Sequence, residues 1–359
     1  MKTKHYLLIF ILLALAAASS ACTGNRMVAS GWAGVTADED TAYLAFNNHI
    51  IAIDLANGNQ RWQYPVEPDT KITFYAAPVL TEDGQIIVGS YDSVLYSLNP
   101  ANGQVNWTFD DAQRRYIGSP LVTEKGIYAP STDKNLYALD FSGSPIWSEP
   151  FQTGEPLWAQ PSTDLECDCV YLASMDHTVY AIDAQSGNEL WRTVDLGGAI
   201  VSPPVISADH VLYIGTFANQ LVAVNANNGR ELWRFATENW VWAGSALDGD
   251  TLYFGDLSGT FYSLDRNKGQ VNWKIQPDGS IVGTPLVTED GIYFTTEEGS
   301  LVSVTPTGAI RWTQSFDEGL HAGPVAAGDL ILVASSQPEK LLVALDANGV
   351  QKWSFGFEK

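Results

Sequence analysis

Few side chains in this 359-residue chain are of a kind that does covalent chemistry; there are three cysteines and five histidines. Cys167 and Cys169 stand one residue apart in the unit Glu166-Cys167-Asp168-Cys169. A disulfide across a single residue is geometrically tight. A zinc site would need more ligands than this stretch holds, because His177 is the only histidine near it. Three readings stay open: a local disulfide in an oxidising compartment, two free thiols, or redox or metal work. No nucleophile elbow, P-loop, HExxH or zinc-finger spacing occurs. No run of alternating aspartates gathers the oxygens that calcium needs, so no metal is expected.

The other chemistry available is recognition. Arg114 and Arg115 are adjacent on a chain with 19 basic and 41 acidic residues and a net charge of −22. That balance repels nucleic acid and anionic lipid heads, so no nucleic-acid partner is expected. Tryptophan is abundant, at 12 residues. Trp, Tyr and Arg dominate binding hot spots, so the question is which of them the fold brings to one surface.

Cys22 belongs to a separate segment. Residues 1–21 carry Lys2 and Lys4, an apolar run over 6–18, and the small residues Ser19-Ser20-Ala21. The run is short for a membrane span and reads as a secretory signal. A cysteine directly after the small residues resembles a bacterial lipobox, with Ser19 where leucine is commonest. The resemblance implies a diacylglyceryl thioether on Cys22, with 22–30 as a tether. Stable anchoring takes more than one acyl chain. Removing the signal removes two lysines and takes the net charge from −22 to −24.

The elements that position the recognition residues are written as a repeat. Its core is VYAIDAQSGNELW at 179–191: a strand, an Asx turn, a glycine, and a return strand with Trp. It recurs with Trp62, Trp107, Trp147, Trp191, Trp233, Trp273, Trp312 and Trp353, spaced 39–45 residues apart. In all eight copies the glycine precedes the Trp by four, and the Asx position fails only at Thr305. Two more strands lie upstream in each copy. The first often begins with small-x-Pro, as at Ala77-Pro78 and Ser119-Pro120. Four short strands per repeat, with no helix between, predict an all-β, eight-bladed β-propeller of four-stranded antiparallel blades over 31–357. The eight Trp are expected to dock blade on blade. The first and last blades are each complete, so closure should rest on side-chain packing; Met27–Ser30 or Ser354–Phe357 could add a strand edge.

Function should lie where the copies differ. The position three before the Pro column reads Trp32, Tyr75, Ile117, Trp158, Val201, Trp242, Val282 and His321. All eight should converge on one mouth of the central channel. The same loops add Phe74, Arg114, Arg115, Tyr116 and Trp240, and the facing turns add acids from Asp92 to Glu339. Two readings follow. Either the bulky side chains plug the channel, or Trp32, Tyr75, Arg114, Arg115, Tyr116, Trp158, Trp240, Trp242 and His321 form a binding rim. Most of the acids are expected to be solvated.

The pattern A/L-Y/V-A/S-L/I-D-x-x-x-G-x-x-x-W resembles the PQQ-like (quinoprotein-type) propeller repeat. Eight copies behind a lipobox resemble the BamB-type lipoproteins of outer-membrane β-barrel assembly. The resemblance implies a non-enzymatic scaffold, a monomer within a complex, that binds a protein partner of the cell envelope through loops at one end of the ring. It implies an outer-membrane lipoprotein facing the periplasm in a two-membrane cell; in a single-membrane cell the anchor would be on the outer face of the cytoplasmic membrane. A glycan-binding or sensory surface lipoprotein is the alternative. A PQQ-dependent dehydrogenase is remote, because no two cysteines are adjacent and the long cofactor-covering insertions are missing; no cofactor is expected.

Overall fold

The computed structural model describes residues 33–164 and 166–357. The signal, the tether, Cys22 and Trp32 lie outside the described residues. Eight four-stranded antiparallel sheets cover 34–64, 79–109, 121–152, 162–192, 205–236, 246–275, 286–315 and 325–355, here blades 1 to 8. Each blade uses consecutive strands in chain order, here A to D. Apart from a 3-10 turn at Pro338–Lys340, the described residues contain no helix.

The middle strands, such as Thr41–Phe46 and Cys169–Ala173, are buried on both faces and read as unbroken apolar runs. The A strands touch one another across neighbouring blades and therefore line the axis. Crowding there explains the small residues beside the prolines. A Cβ on Gly283 would lie 2.3 Å from the backbone nitrogen of Gly323, so only glycine fits.

The Asp, Gly and Trp columns act together between blades. In every blade but the third, the D-strand Trp faces Ala or Ser on strand C across a recurring bulge, as Trp191 faces Ala181 and Trp273 faces Ser263. The indole then lies under the glycine of the next blade. A Cβ on Gly229 would fall 2.5 Å from the Trp191 ring, and Gly229 also has φ +70°. Each indole N–H donates to the carbonyl just after the next blade's Asx residue: Trp62 to Pro100 at 2.7 Å, Trp191 to Ala226 at 3.0 Å, Trp233 to Arg266 at 3.1 Å. The Asx side chain accepts from the turn it opens, as Asp54 does from the N–H of Ala56 at 3.0 Å and Asn225 from that of Asn227 at 3.0 Å. Trp147 and Trp353 are buried, and the other six are partly covered. Blade 3 keeps the joint although its D strand shrinks to Phe151–Gln152. Pro145 and Pro150 cannot donate to the ladder there, and Trp147 still bonds Ala184 at 3.0 Å.

The ring closes by the same joint. Trp353 donates to the Leu55 carbonyl at 2.7 Å and packs against Gly58. Residues of blades 1 and 8, among them Leu44, Ile53, Leu332 and Phe355, form one apolar core. Ser354 and Phe355 pair within blade 8, with Val343 and Leu342. They therefore add no edge to blade 1; Met27–Ser30 lies outside the described residues.

Candidate functional site

The loops between blades are straps held at both ends. Strap 110–120 shows how. The Tyr116 N–H donates to the Ser90 carbonyl in the B–C turn of blade 2, at 3.1 Å. The Arg115 carbonyl accepts from the Thr132 N–H in the B–C turn of blade 3, also at 3.1 Å. The same two bonds recur at Ile200 with Ser174 (3.3 Å) and Ala199 with Phe217 (3.0 Å), and at Val241 with Thr216 (3.2 Å) and Trp240 with Leu257 (3.0 Å). Carboxylates brace the straps from the turns. Asp176 accepts from the Gly154 N–H at 2.8 Å and the Tyr180 hydroxyl at 2.7 Å. Asp256 accepts from Glu238 and Asn239 N–H groups, both at 3.0 Å, and from Tyr262 at 2.9 Å.

The facing acids are mostly in contact with solvent, as expected, with Glu298 and Glu339 exposed, but several also brace the straps. Asp256 is buried, and Asp92, Asp133 and Asp176 each take a tyrosine hydroxyl. Lys134 and His177 hold the left-handed position of their turns, at φ +77° and +70°. Asn219, Gly259 and Gly299 hold the same place in other blades, so backbone geometry accounts for that position.

Within each strap two adjacent positions part company. The position four before the Pro column is buried between blades: Phe74, Tyr116, Leu157, Ile200, Val241, Ile281 and Leu320. Tyr116 therefore leaves the rim. It is 1% exposed, in the core shared by Ile87, Phe109 and Tyr137, and packs against Gly89. The next position turns to the axis. Tyr75, Ile117, Trp158, Val201, Trp242, Val282 and His321 line one cavity of about 250 Å³. Seven of the eight converging positions are thus brought together, and Trp32 lies outside the described residues. A second cavity of about 380 Å³ shares Tyr75, Gln160, Thr284 and His321 and continues along the A strands.

Two aromatic arcs lead from the cavity to the surface. In one, Trp158 meets Trp242 edge to face at 6.4 Å, Trp242 stacks on Phe217 at 5.3 Å, and Phe217 stacks on Trp240 at 4.6 Å and 8°. Trp240 is 44% exposed. In the other, Tyr75 meets Tyr91 at 5.5 Å and the Arg115 guanidinium lies 4.8 Å over the Tyr91 ring. Burial, with Tyr91 beside it, pushes the Tyr75 phenol up to about 12. Arg114 and Arg115 are exposed, and neither forms an ion pair among the described residues. His321 Nδ1 lies 3.3 Å from Glu297 Oε1.

Tyr91 and Phe217 were not singled out by the repeat pattern. Both follow the last buried residue of a B strand, where other blades place Thr132, Met175, Leu257 and Glu297. Aligning that column alone marks the two rings. At the opposite end of the ring, in the A–B turn of blade 4, Cys167 and Cys169 are joined, with sulfurs 1.98 Å apart. Beside them His210 Nδ1 is 2.7 Å from Asp164 Oδ2, and Nε2 is 3.2 Å from Glu166 Oε2. The hydrogen bond to Asp164 raises the His210 pKa above its ordinary value. Neither group shares a surface with the mouth.

Comparison with known proteins places this arrangement. The ring superposes on the crystal structure of BamB from Moraxella catarrhalis with TM-score 0.71, 17% identity, and 89% and 96% of the two chains covered. It superposes on a europium-containing methanol dehydrogenase with TM-score 0.68, 15% identity, and 84% and 82% covered. At these identities both show the fold alone. In sequence, an outer membrane protein assembly factor BamB from Taylorella asinigenitalis is 28% identical over 36% of this chain and 35% of its own length. One from Bordetella pertussis is 22% identical over 47% of this chain and 45% of its own length. The chain thus matches less than half the length of these relatives. A family model described as outer membrane protein assembly factor BamB matches residues 16–159, 175–243, 218–305 and 290–358, nearly the whole ring. By that match the chain belongs to the BamB outer membrane protein assembly factor family.

Proposed function

We propose that this chain is a non-enzymatic scaffold of outer-membrane protein assembly, anchored in the envelope through a lipid on Cys22, and that it docks a protein partner on the mouth face. The observation that carries the docking surface is the rim itself. Strap residues that differ from blade to blade, Arg114, Arg115 and Trp240, stand exposed on a backbone pinned at both ends. A rigid, pre-organised patch of Trp, Tyr and Arg loses little entropy on binding. The BamB relatives support the assembly role by their names. Quinone–metal chemistry is not proposed, because calcium-type ions need several oxygen ligands together and the described residues lining the cavity include no carboxylate.

The test is a pull-down from detergent-solubilised envelopes with the mature lipoprotein. We expect wild type to retain an outer-membrane assembly protein and a Trp240→Ala/Arg114→Ala/Arg115→Ala variant to lose it. An unchanged partner list would remove the rim from the docking surface. Labelling with a palmitate analogue, with a Cys22→Ser control, tests the anchor; an unlabelled, soluble wild type would end that part.

A further inference from the structure

The cavity below the rim is a separate feature, and its walls are chemically mixed. Three rings, Tyr75, Trp158 and Trp242, line it together with the polar residues Gln160, Ser202 and Thr284. Such a pairing of apolar faces with a few hydrogen-bonding groups is the usual make-up of a small-molecule site. Ser202 is 2% exposed and its hydroxyl has no hydrogen-bond partner. The Gln160 side-chain N–H₂ donates to the Pro120 carbonyl at 3.0 Å, which orients the amide and leaves its oxygen to accept.

Size and charge narrow the ligand. A closed cavity of ~150 Å³ holds benzene; about 250 Å³ takes one six-membered ring with its substituents. No Lys, Arg, Asp or Glu is among the described lining residues, and His321 there already faces Glu297; burying an unpaired charge is expensive, so the ring is neutral. The polar lining selects against a bare hydrocarbon. Ring-to-ring contacts run from Trp158 through Trp242 and Phe217 to Trp240, and of these Trp240 is the one that stands exposed, at 44%. A ligand of successive flat-faced rings would reach from the cavity to the exposed ring of Trp240. From these features we infer that the mouth cavity binds a neutral pyranose sugar, with a further residue of an oligosaccharide resting on the exposed ring of Trp240. This site does not depend on the partner-docking role, and the two can fail separately.

Titration of the mature protein with N-acetylglucosamine, its β-1,4 trimer and maltotriose tests it, read by tryptophan fluorescence and calorimetry. At least one sugar should give a saturable signal. Trp158→Ala should weaken it about tenfold or more, the loss of a ring contact and its cavity wall. Trp240→Ala should weaken the trimer but not the monosaccharide. Ser202→Val, a small change that leaves the rings in place, should weaken both. Absence of saturable binding to all three sugars overturns the inference and leaves a water-filled channel. Binding that ignores Trp158→Ala and Ser202→Val together also overturns it. So does saturable, Trp158-dependent binding of N-acetyltyrosinamide in place of the sugars, since that assigns the cavity to an aromatic side chain.

Discussion

Trp353→Ala tests how the ring is held shut. Among the described residues no strand of blade 8 pairs with blade 1, and the seam between them rests on the packed core and on one indole hydrogen bond. Trp353 is 9% exposed. Covering a Trp side chain of about 200 Å² is worth at most ~5 kcal/mol at 25 cal/mol/Å². Core Trp-to-Ala changes cost ~3–5 kcal/mol. The Leu55 carbonyl would also lose its indole donor in a buried setting, for about 1 kcal/mol more. Together these give ~5 kcal/mol. Trp273→Ala is the control, because the Trp273 ring is only partly covered and its bond to Pro306 is solvent-exposed; there water replaces the indole and ~2–3 kcal/mol is expected. An unfolding entropy of roughly 0.7 kcal/mol/K for a ring of this length turns these into Tm losses of about 7 °C and 4 °C. Equilibrium urea unfolding and thermal melts of the two variants give the comparison. If Trp353→Ala costs no more than Trp273→Ala, the seam is held by something other than this joint and the reasoning is wrong.

Three further expectations come from the joints and the blade 4–5 seam. Gly229→Ala should cost ~2–4 kcal/mol in urea melts, and Gly249→Ala only about 1. Both are left-handed, but a Cβ at Gly229 meets Trp191 whereas one at Gly249 meets nothing within 4 Å. The Ser142 hydroxyl on Asp140 and the Ser186 hydroxyl on Asp183 hold those carboxyls below their ordinary value. Their contribution is present above the unfolded aspartate pKa near 3.9 and lost as pH falls through the lower folded values, so Asp140→Asn/Asp183→Asn should flatten the loss of Tm as pH falls below about 4. His210 is raised by its bond to Asp164 and by Glu166. Its contribution is full below the unfolded value near 6.5 and lost as pH rises through the folded one; NMR should show it titrating above 6.5, and His210→Gln should remove that part of the pH dependence.

The fold was legible because its joints are made of residues that have few substitutes. Only an indole both fills the gap between sheets and donates to the next blade's turn, and only glycine accepts that ring at positive φ. The same column explains a point the pattern could not show: Gly187 is fixed by Trp147 of the preceding blade as much as by its own turn. The Asp column survives replacement by Asn99, Asn225 and Thr305, because each of those side chains also accepts from a turn N–H.

The site was legible only to one residue's precision. Neighbouring strap positions such as Tyr116 and Ile117 look alike in composition, yet a strap bonded at both ends sends one into the core and the next to the axis. Aromatic content cannot tell them apart; the apolar column Phe74, Leu157, Ile200, Val241, Ile281 and Leu320 can, once the blades are aligned. The facing turns mislead in the opposite direction. Acids that look free for a metal or a basic partner are taken up by strap N–H groups and tyrosine hydroxyls, as at Asp176 and Asp256. What those acids supply is rigidity. Asp256 holds the Trp240 strap through the Glu238 and Asn239 N–H groups, so neutralising it should loosen that strap before it unfolds the blade. Hydrogen exchange of the Glu238 and Asn239 amides in Asp256→Asn reads that loosening directly; unchanged protection would mean the strap is fixed by its backbone bonds alone.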